Sequence, residues 1–374
     1  MQKIVDMMLC LLMCSALFLK PAFAEEVSSH EWTERIKQLE DRMEKKALSK
    51  GWADRITISG VLEAEAGFGS TDFADAAQED TDESDIVLAT AELGIDAQIA
   101  KHVSGHILFL YEEGENDDNI AVDEGFITID GQDAVPLYLN AGKLYVPFGN
   151  FESHMITDPL TLELGETGQS AIQVGFANAM VDVSIAVFNG DVDQTGDDDA
   201  INSYVGSVQF SLPEGTVANF SLYAGVSYLS NLADSDGLEG VIATPDGTIE
   251  DHVAGLGAFI SVSFMDMIFL EAEYIGALDK FRAGELSIDG GTEVAPSAWN
   301  FELAYSPLAD LEVAVRYGQT DDIKGGAFLP ETQYGAAVAY RLFESTTISM
   351  EYLKGEYENN DATDGVTAQL AVEF

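Results

Sequence analysis

Residues 56–68 read ITISGVLEAEAGF, a stretch in which apolar and polar residues alternate. In a β-strand, successive side chains point to opposite faces, so alternating apolar and polar residues predict a strand with one face of each kind. The even-numbered positions form the apolar face and the odd-numbered ones the polar face: Ile56, Ile58, Leu62, Ala64, Ala66 and Phe68 against Thr57, Ser59, Glu63 and Glu65. One face suits hydrocarbon and the other suits water, which is typical of a strand that crosses a bilayer.

The same period of two continues from residue 56 to the end of the chain. Residues 87–99 repeat it, with Val87 and Leu93 on the apolar face and Glu92 on the polar face. Counted in this way, the sequence predicts 16 strands, near residues 56–68, 87–99, 102–111, 120–130, 137–145, 170–178, 181–189, 202–212, 218–229, 252–264, 267–276, 297–305, 311–319, 332–342, 346–357 and 366–374. The predicted fold is all-β, a 16-stranded antiparallel transmembrane β-barrel over residues 55–374.

The connections between these strands alternate in length. Every second one is short, as at residues 100–101 and 265–267, whereas the others are long and acidic, such as GSTDFADAAQEDTDES from residue 69. Outer-membrane barrels have short periplasmic turns and long external loops, so this alternation places the chain in the bacterial outer membrane. A soluble β-sandwich needs inward apolar faces and shorter strands, and the pattern disfavours it.

The N-terminus has the features of a cleaved secretory leader. Lys3 precedes an apolar run, and residues 22–24 (AFA) form a cleavage site, which predicts a signal peptide over residues 1–24. Both cysteines, Cys10 and Cys14, fall in this leader, so the mature chain has no thiol for a disulfide or a metal site.

Residues 25–54 are predicted to form a short periplasmic amphipathic helix of coiled-coil type. Its apolar residues recur at spacings of four, three and four: Trp32, Ile36, Leu39 and Met43. A seam of about two heptads is too short to be stable alone. We therefore expect either contact with the same helix of other copies in a homo-oligomer, such as a trimer, or packing on the periplasmic end of the barrel.

The chain is strongly acidic. It has 66 Asp and Glu against 17 Lys and Arg, a net charge of −49, and eight of the basic residues follow residue 55. This composition argues against binding to nucleic acid through a basic patch. It also argues against an anion pore, which needs rows of Lys or Arg on its wall. Cations are therefore expected to pass more easily than anions.

One of the long loops differs from the others. Residues 142–166 read GKLYVPFGNFESHMITDPLTLELGE and carry large apolar side chains where the other loops carry Asp, Gly and Ser. An apolar loop has to pack against something. Folding into the lumen would bury these side chains and narrow the wide water path of a 16-stranded pore. Residues 146–169 are therefore the predicted constriction, with a lid over the rim or a subunit contact as the alternative.

The predicted site residues follow from this arrangement. The constriction is expected to present polar side chains to the water path: Lys143, Asn150, Glu152, His154, Asp158, Glu163 and Glu166. The lumen wall is expected to carry Glu63, Glu65, Glu92, Asp96, Glu124, Glu271, Glu273, Glu302, Glu312, Arg316 and Glu351. For any one wall carboxylate, the simpler alternative is a side chain that lines water and has no role beyond its own solvation.

The run GKLYVPFGNFES, followed by DPLTLELGET and preceded by the predicted helix, resembles the siderophore porins of the LbtU type, and the resemblance extends over the whole mature chain. It implies an outer-membrane barrel that takes up iron as ferric siderophores. The segment GKLYVPFG alone is similar to phosphate-selective porins, in which the fifth strand leads into an infolded third loop. The scarcity of basic residues in the barrel argues against phosphate as cargo.

The sequence contains no catalytic constellation and no cofactor motif. DVDQTGDDD, from residue 191, begins like a calcium loop and makes Asp191, Asp193 and Asp197 a candidate metal site, but Asn202 stands where a bidentate Glu is required. The five histidines lack metal-binding spacing, and no nucleophile elbow or nucleotide motif occurs. We therefore predict no enzyme activity and no cofactor.

Passage of ferric siderophores is the leading functional prediction and rests on the resemblance. A general, cation-preferring diffusion porin is the alternative that composition favours, and a closed structural or adhesive barrel is a third. The expected partners are outer-membrane lipid, the barrel-assembly machinery through the C-terminal Phe374, ferric siderophore cargo and further copies of the chain. The mature segment before the first strand is too short for the plug domain of 22-stranded receptors.

Overall fold

The computed structural model describes residues 55–114, 119–131, 134–196, 200–213, 215–325 and 328–374. The signal peptide predicted at residues 1–24 and the helix predicted at residues 25–54 lie outside these ranges and remain predictions. Within the described ranges, no helix is long and apolar enough to cross a membrane.

Sixteen antiparallel strands form a closed barrel in which β1 pairs with β16. The strands are β1 (Ile56–Asp72), β2 (Thr81–Ala100), β3 (Val103–Tyr111), β4 (Ala121–Asp130), β5 (Leu137–Tyr145), β6 (Gly168–Ala177), β7 (Val181–Phe188), β8 (Ser203–Ser211), β9 (Phe220–Leu229), β10 (Gly255–Phe264), β11 (Ile268–Ala277), β12 (Ser297–Leu308), β13 (Leu311–Asp321), β14 (Thr332–Phe343), β15 (Thr346–Glu356) and β16 (Ala362–Glu373). Two short α-helices lie in the long loops: α1 (Leu160–Gly165) and α2 (Asp236–Glu239). The predicted 16-stranded antiparallel barrel is confirmed.

The outer face of the barrel is apolar, as the alternation along each strand predicts. On β1, Ile58 and Phe68 are 59% and 63% exposed, and Ile185 of β7 and Val315 of β13 are both 52% exposed. Such exposure is unfavourable in water and favourable in hydrocarbon. Because β1 pairs with β16, the closed barrel leaves no free strand edge along the lipid face. The protein is therefore built for the bacterial outer membrane.

The β1–β2 hairpin is longer than predicted. The stretch 69–84 is expected from its acidic composition to be a loop, but β1 continues to Asp72 and β2 begins at Thr81. Backbone pairing on both sides accounts for the extension. Ser70, for example, pairs with Asp364 of β16 on one side and with Asp82 of β2 on the other. Pairing on both edges holds these polar residues in the strand.

A β-bulge in β2 reverses the predicted orientation of Val87. The register shifts by one residue at Ala89, so Val87 pairs with Glu65 and shares its lumen face. Its neighbour Leu88 points outward instead and is 37% exposed. One extra residue in a strand changes the face of every residue beyond it, and the sequence pattern alone does not show where that residue lies.

The long external loops over the strands from β7 to β14 pack against one another. Bridges join Ile242 to Leu286 and Gln194 to Ile249. Six apolar loop side chains are at most 1% exposed: Leu232, Leu238, Ile249, Phe281, Leu286 and Val294. They share one hydrophobic core with the loop between β5 and β6. These loops therefore form a compact cap over one side of the barrel mouth.

Candidate functional site

The loop between β5 and β6, residues 146–167, folds into the lumen and lies on the opposite wall. Its helix α1 contacts β11, β12 and β13. Val146, Phe148, Leu160 and Leu164 are each at most 5% exposed, which accounts for the large apolar residues in this segment. The burial of these side chains removes apolar surface from water and holds the loop against the wall. We call residues 146–167 the constriction loop.

Three glutamates of the wall hold the backbone of the constriction loop. The first is Glu273 of β11, which accepts hydrogen bonds from the backbone N–H of Asn150 at 2.7 Å and of Phe151 at 3.1 Å. The hydroxyl of Thr161 donates to the same carboxylate at 2.9 Å. Glu273 is 6% exposed, so its charge is compensated by these donors rather than by water.

The second is Glu302 of β12. It accepts from the backbone N–H of His154 at 2.7 Å and from the hydroxyl of Ser153 at 3.1 Å. Arg316 of β13 donates to it through Nε at 2.8 Å and also donates to the backbone carbonyl of Asp158 at 2.9 Å. The side chains of Glu302 and Arg316 are both 0% exposed. A buried ion pair therefore ties two points of the constriction loop to the wall.

The third is Glu351 of β15, which is 1% exposed. It accepts from the backbone N–H of Ile156 at 2.7 Å and of Thr157 at 3.2 Å, and from the hydroxyl of Thr157 at 2.6 Å. Irregular backbone has N–H groups without partners of its own, and burying them unpaired is costly. Carboxylates are strong acceptors for such groups. We name Glu273, Glu302 and Glu351 the anchor glutamates.

His154 provides a further link between the constriction loop and the wall. Its Nδ1 lies 2.9 Å from Glu312 Oε1, and its Nε2 lies 3.9 Å from Glu271 Oε1. Its ring also packs on Phe269, with ring centroids 5.3 Å apart. Burial lowers the pKa of His154, but the contacts with Glu271 and Glu312 outweigh it and raise the pKa to about 9. The imidazole is therefore a cation at neutral pH.

The other side of the lumen is the part that the constriction loop leaves open. Strands β1 to β4 carry the remaining predicted wall residues there, and cross-strand register places all of them on the lumen face: Glu63, Glu65, Glu92, Asp96 and Glu124. The strands β1 to β4 contain neither Lys nor Arg. The side chain on these strands that can carry a positive charge is His106. Its Nδ1 lies 2.8 Å from Asp96, and its Nε2 lies 3.5 Å from Glu124.

The constriction loop carries four acidic side chains toward the lumen, and two of them, Asp158 and Glu166, interact with the open side. Glu152, Asp158 and Glu163 are exposed, and Glu166 is half-buried. Asp158 interacts electrostatically with Glu63 of β1, and Glu166 does so with Asp123 of β4. The water path thus runs between two acidic surfaces. Asn150, by contrast, is held at its backbone by Glu273, and its side-chain amide lies 3.5 Å from Glu152.

The enclosed position of these acids raises the pKa of their carboxyl groups. Loss of hydration raises the pKa of Asp158 and of Glu163, and the negative charge of Asp158 raises that of Glu163 further. For Glu166, loss of hydration together with repulsion from Asp236 and Asp158 raises the pKa to about 8. Neighbouring carboxylates resist simultaneous ionisation, which is the expected behaviour of like charges in a narrow space.

Lys143 does not line the constriction, and the prediction that it does is corrected. The register pairs it with Ser170 of β6, on the outer face that also carries Ile172, which is 52% exposed. Its Nζ donates to the backbone carbonyl of Val122 at 3.1 Å. The period of two along β5 explains this position, because Lys143 follows Ala141 on the face that points away from the lumen.

The candidate calcium loop is only partly described. Asp197 lies outside the described residues, and Asp191 accepts a hydrogen bond from Gln169 of β6. No group of three metal-ligating side chains occurs among the residues that the structure describes. The calcium site at Asp191, Asp193 and Asp197 stays a prediction.

Sequence reasoning missed the residues that join the external cap. Asp234 is 0% exposed and accepts hydrogen bonds from Val192 N at 3.2 Å, Asn231 Nδ2 at 3.1 Å and Ser203 Oγ at 2.6 Å. Burial raises its pKa. A single acid in an acidic loop gives no signal of such a role, because two of its three partners, Val192 and Ser203, lie 42 and 31 residues away in the chain.

The closed 16-stranded barrel with an inward-folded loop after β5 defines the class of the protein: it has the fold of outer-membrane porins. Solved structures with this fold include the outer membrane channel DcaP of Acinetobacter baumannii, with a TM-score of 0.59 and 15% identity over 85% of this chain and 97% of that one. OprB of Pseudomonas putida has a TM-score of 0.59 and 11% identity over 92% of this chain and 97% of that one. An anion-selective porin from Comamonas acidovorans has a TM-score of 0.57 and 10% identity over 85% of this chain and 99% of that one. At these identities the likeness concerns the fold alone.

Relatives by sequence are UPF0422 proteins. A UPF0422 protein of Coxiella burnetii is 27% identical over 306 residues, which are 80% of this chain and 63% of the relative. A UPF0422 protein of Legionella pneumophila is 25% identical over 323 residues, which are 79% of this chain and 58% of the relative. The chain thus spans less than two thirds of the length of these curated relatives. No family model matches the chain.

Proposed function

We propose that the protein is a cation-preferring porin of the outer membrane, with a pore narrowed by the constriction loop. The observation that carries this proposal is the pair of acidic surfaces that face each other across the water path. One is the loop surface with Asp158 and Glu163, and the other is the wall formed by β1 to β4, which has no Lys or Arg. The proposed role is that of a channel, and no residue is assigned to catalysis.

The position of the buried cations strengthens the proposal. Arg316 is 3% exposed and lies behind the constriction loop, where Glu302 neutralises it. His154 lies between Glu271 and Glu312 on the same side. The positive charges of Arg316 and His154 are neutralised by the glutamates that they contact. They therefore do not offset the negative charge of the carboxylates along the water path. Screening acts over about 8 Å at physiological salt, so acids on both sides of a narrow path act on the same ion.

We further propose ferric siderophores as the dedicated cargo of this pore. The support is the resemblance of residues 142–166 to siderophore porins of the LbtU type, and a general diffusion porin is the alternative. The acidic water path should also select ferric complexes by their charge. Ferric complexes with neutral or positive charge should pass faster than complexes of the same size with negative charge.

The proposed partners follow from the same architecture. Outer-membrane lipid covers the apolar exterior. Association with further copies, for instance as a trimer, and recognition of Phe374 by the barrel-assembly machinery are proposals. Phe374 is 65% exposed, and its backbone exchanges two hydrogen bonds of 3.0 Å with Gly60 of β1. The ring is therefore accessible although the end of the chain is held.

A planar lipid bilayer tests the proposed function. Purified folded protein is added to one side, and the reversal potential is recorded under a KCl gradient, with heat-denatured protein as the control. We expect channels with a higher permeability for K⁺ than for Cl⁻, and partial block of the current by a ferric siderophore. Channels that favour Cl⁻, or the absence of channels, would contradict the porin proposal. Cation-selective channels that no ferric siderophore blocks would contradict the cargo alone.

A further inference from the structure

A cavity of about 490 Å³ opens on the lumen side at the ends of β11 to β15 that carry the short turns. It lies next to His154 on the periplasmic side of the constriction loop, because Phe269 and Glu312 both line the cavity and contact His154. Its volume is in the range of small-molecule sites. The water path and the proposed selectivity do not account for it.

Arg341 of β14 lines this cavity with a guanidinium that can bind a ligand. Tyr340, the preceding residue, is 46% exposed on the outer face. Because side chains alternate along a strand, Arg341 points to the lumen. It shares this face with Ala337, which pairs with the lumen-facing Glu351. Its backbone N–H is paired with the carbonyl of Asp310. Its guanidinium forms no ion pair or side-chain hydrogen bond with the residues that the structure describes. Arg316 differs, because each of its three guanidinium nitrogens donates a hydrogen bond.

Three carboxylates surround the same cavity: Asp266, Asp310 and Glu312. Glu312 is held in place, since His154 Nδ1 lies 2.9 Å from one of its oxygens and Ser306 Oγ donates to the other at 2.9 Å. The lining therefore combines one free guanidinium, several fixed or nearby carboxylates and an aromatic surface, Phe269. A ligand that fits must carry one anionic group and more than one cationic group.

We propose that this cavity binds basic α-amino acids. A guanidinium binds a carboxylate through two parallel hydrogen bonds, which makes Arg341 the partner of the α-carboxylate. The α-amino and side-chain amino groups then lie near the carboxylates of Asp310 and Asp266, and the aliphatic chain lies on Phe269. Such a ligand has a net positive charge, and the lining has a net negative one.

Calorimetric titration of the folded protein in detergent tests this site with L-lysine and pentane-1,5-diamine, which is lysine without its carboxylate. We expect lysine to bind at least about tenfold more tightly, from a charge-assisted bidentate contact. The variant Arg341→Met should bind both compounds equally. The control Lys354→Met removes a cation that lies near Glu356, at 3.8 Å, and should keep the preference for lysine.

Equal binding of the two compounds to the wild type would overturn the proposal, and so would a preference for lysine that survives in Arg341→Met. The titration does not depend on ion flow. A negative result therefore leaves the proposed pore unaffected, and a failure of the pore in bilayers leaves the binding result valid. Unchanged migration of the unheated variants in gel electrophoresis confirms that each barrel is folded.

Discussion

Replacing Glu351 by Leu should release the middle of the constriction loop. Glu351 is 1% exposed and accepts three hydrogen bonds from Ile156 and Thr157. Leu offers no acceptor, and each backbone N–H left buried without a partner costs about 1–3 kcal/mol. With two such groups, the docked position loses enough free energy for the segment to move into the lumen water and regain hydrogen bonds there. The pore should then be wider or should fluctuate.

The assay is the single-channel conductance in a planar bilayer, together with cleavage of the constriction loop by protease. We expect Glu351→Leu to raise the mean conductance or its fluctuation and to speed cleavage. Glu351→Gln keeps one acceptor oxygen and should have a smaller effect. Glu356→Leu is the matched control on the same strand, since the side chain of Glu356 is 55% exposed and lies near Tyr334 and Lys354 of the barrel wall. A folded Glu351→Leu protein with wild-type conductance and cleavage would refute the anchoring role.

Three further predictions concern charge. Asp158→Asn combined with Glu163→Gln should lower the K⁺ to Cl⁻ permeability ratio, measured as a reversal potential, with little change in conductance; an unchanged ratio would remove these acids from the water path. The pKa of His154 is raised to about 9, so its stabilisation of the loop is full below its ordinary value of 6.5 and is lost as pH rises through 9. Protease cleavage of the loop should therefore increase in that window. Glu166 of the same loop also ionises there, with a pKa of about 8, so His154→Gln should show a smaller step than the wild type rather than the full one. Arg316→Met leaves Glu302 buried without its partner, which should cost about 3–5 kcal/mol; a melting temperature equal to that of the wild type would contradict this.

The strands could be predicted because one physical rule governs them. Lipid on one side and water on the other impose a period of two, and β5 (Leu137–Tyr145) has the bounds read from the sequence. The rule does not predict a bulge such as the one at Ala89, nor a strand that continues through polar residues as at Ser70. Both depend on the register of the neighbouring strands.

The site could be predicted in part. The apolar residues of the constriction loop signalled that it packs against a surface, and alternation placed the wall carboxylates on the lumen face. Their roles could not be predicted, because Glu273 and Glu351 find their partners more than 100 positions away in the chain, with separations of 123 and 195 residues to the loop. The same acid type therefore acts as an anchor on one wall and lines water on the other. The error at Lys143 has a simpler origin, since the alternation along β5 already turns it outward.

The narrowing of the pore by the constriction loop is tested by the conductance of a protein that lacks residues 150–164, compared with the wild type and with a protein that lacks the external residues 75–79. The deletion removes the loop segments that Glu273, Glu302 and Glu351 hold in the lumen. We expect a clear rise in single-channel conductance for the first deletion and none for the second. An unchanged conductance in a folded 150–164 deletion would contradict the claim that this loop narrows the pore.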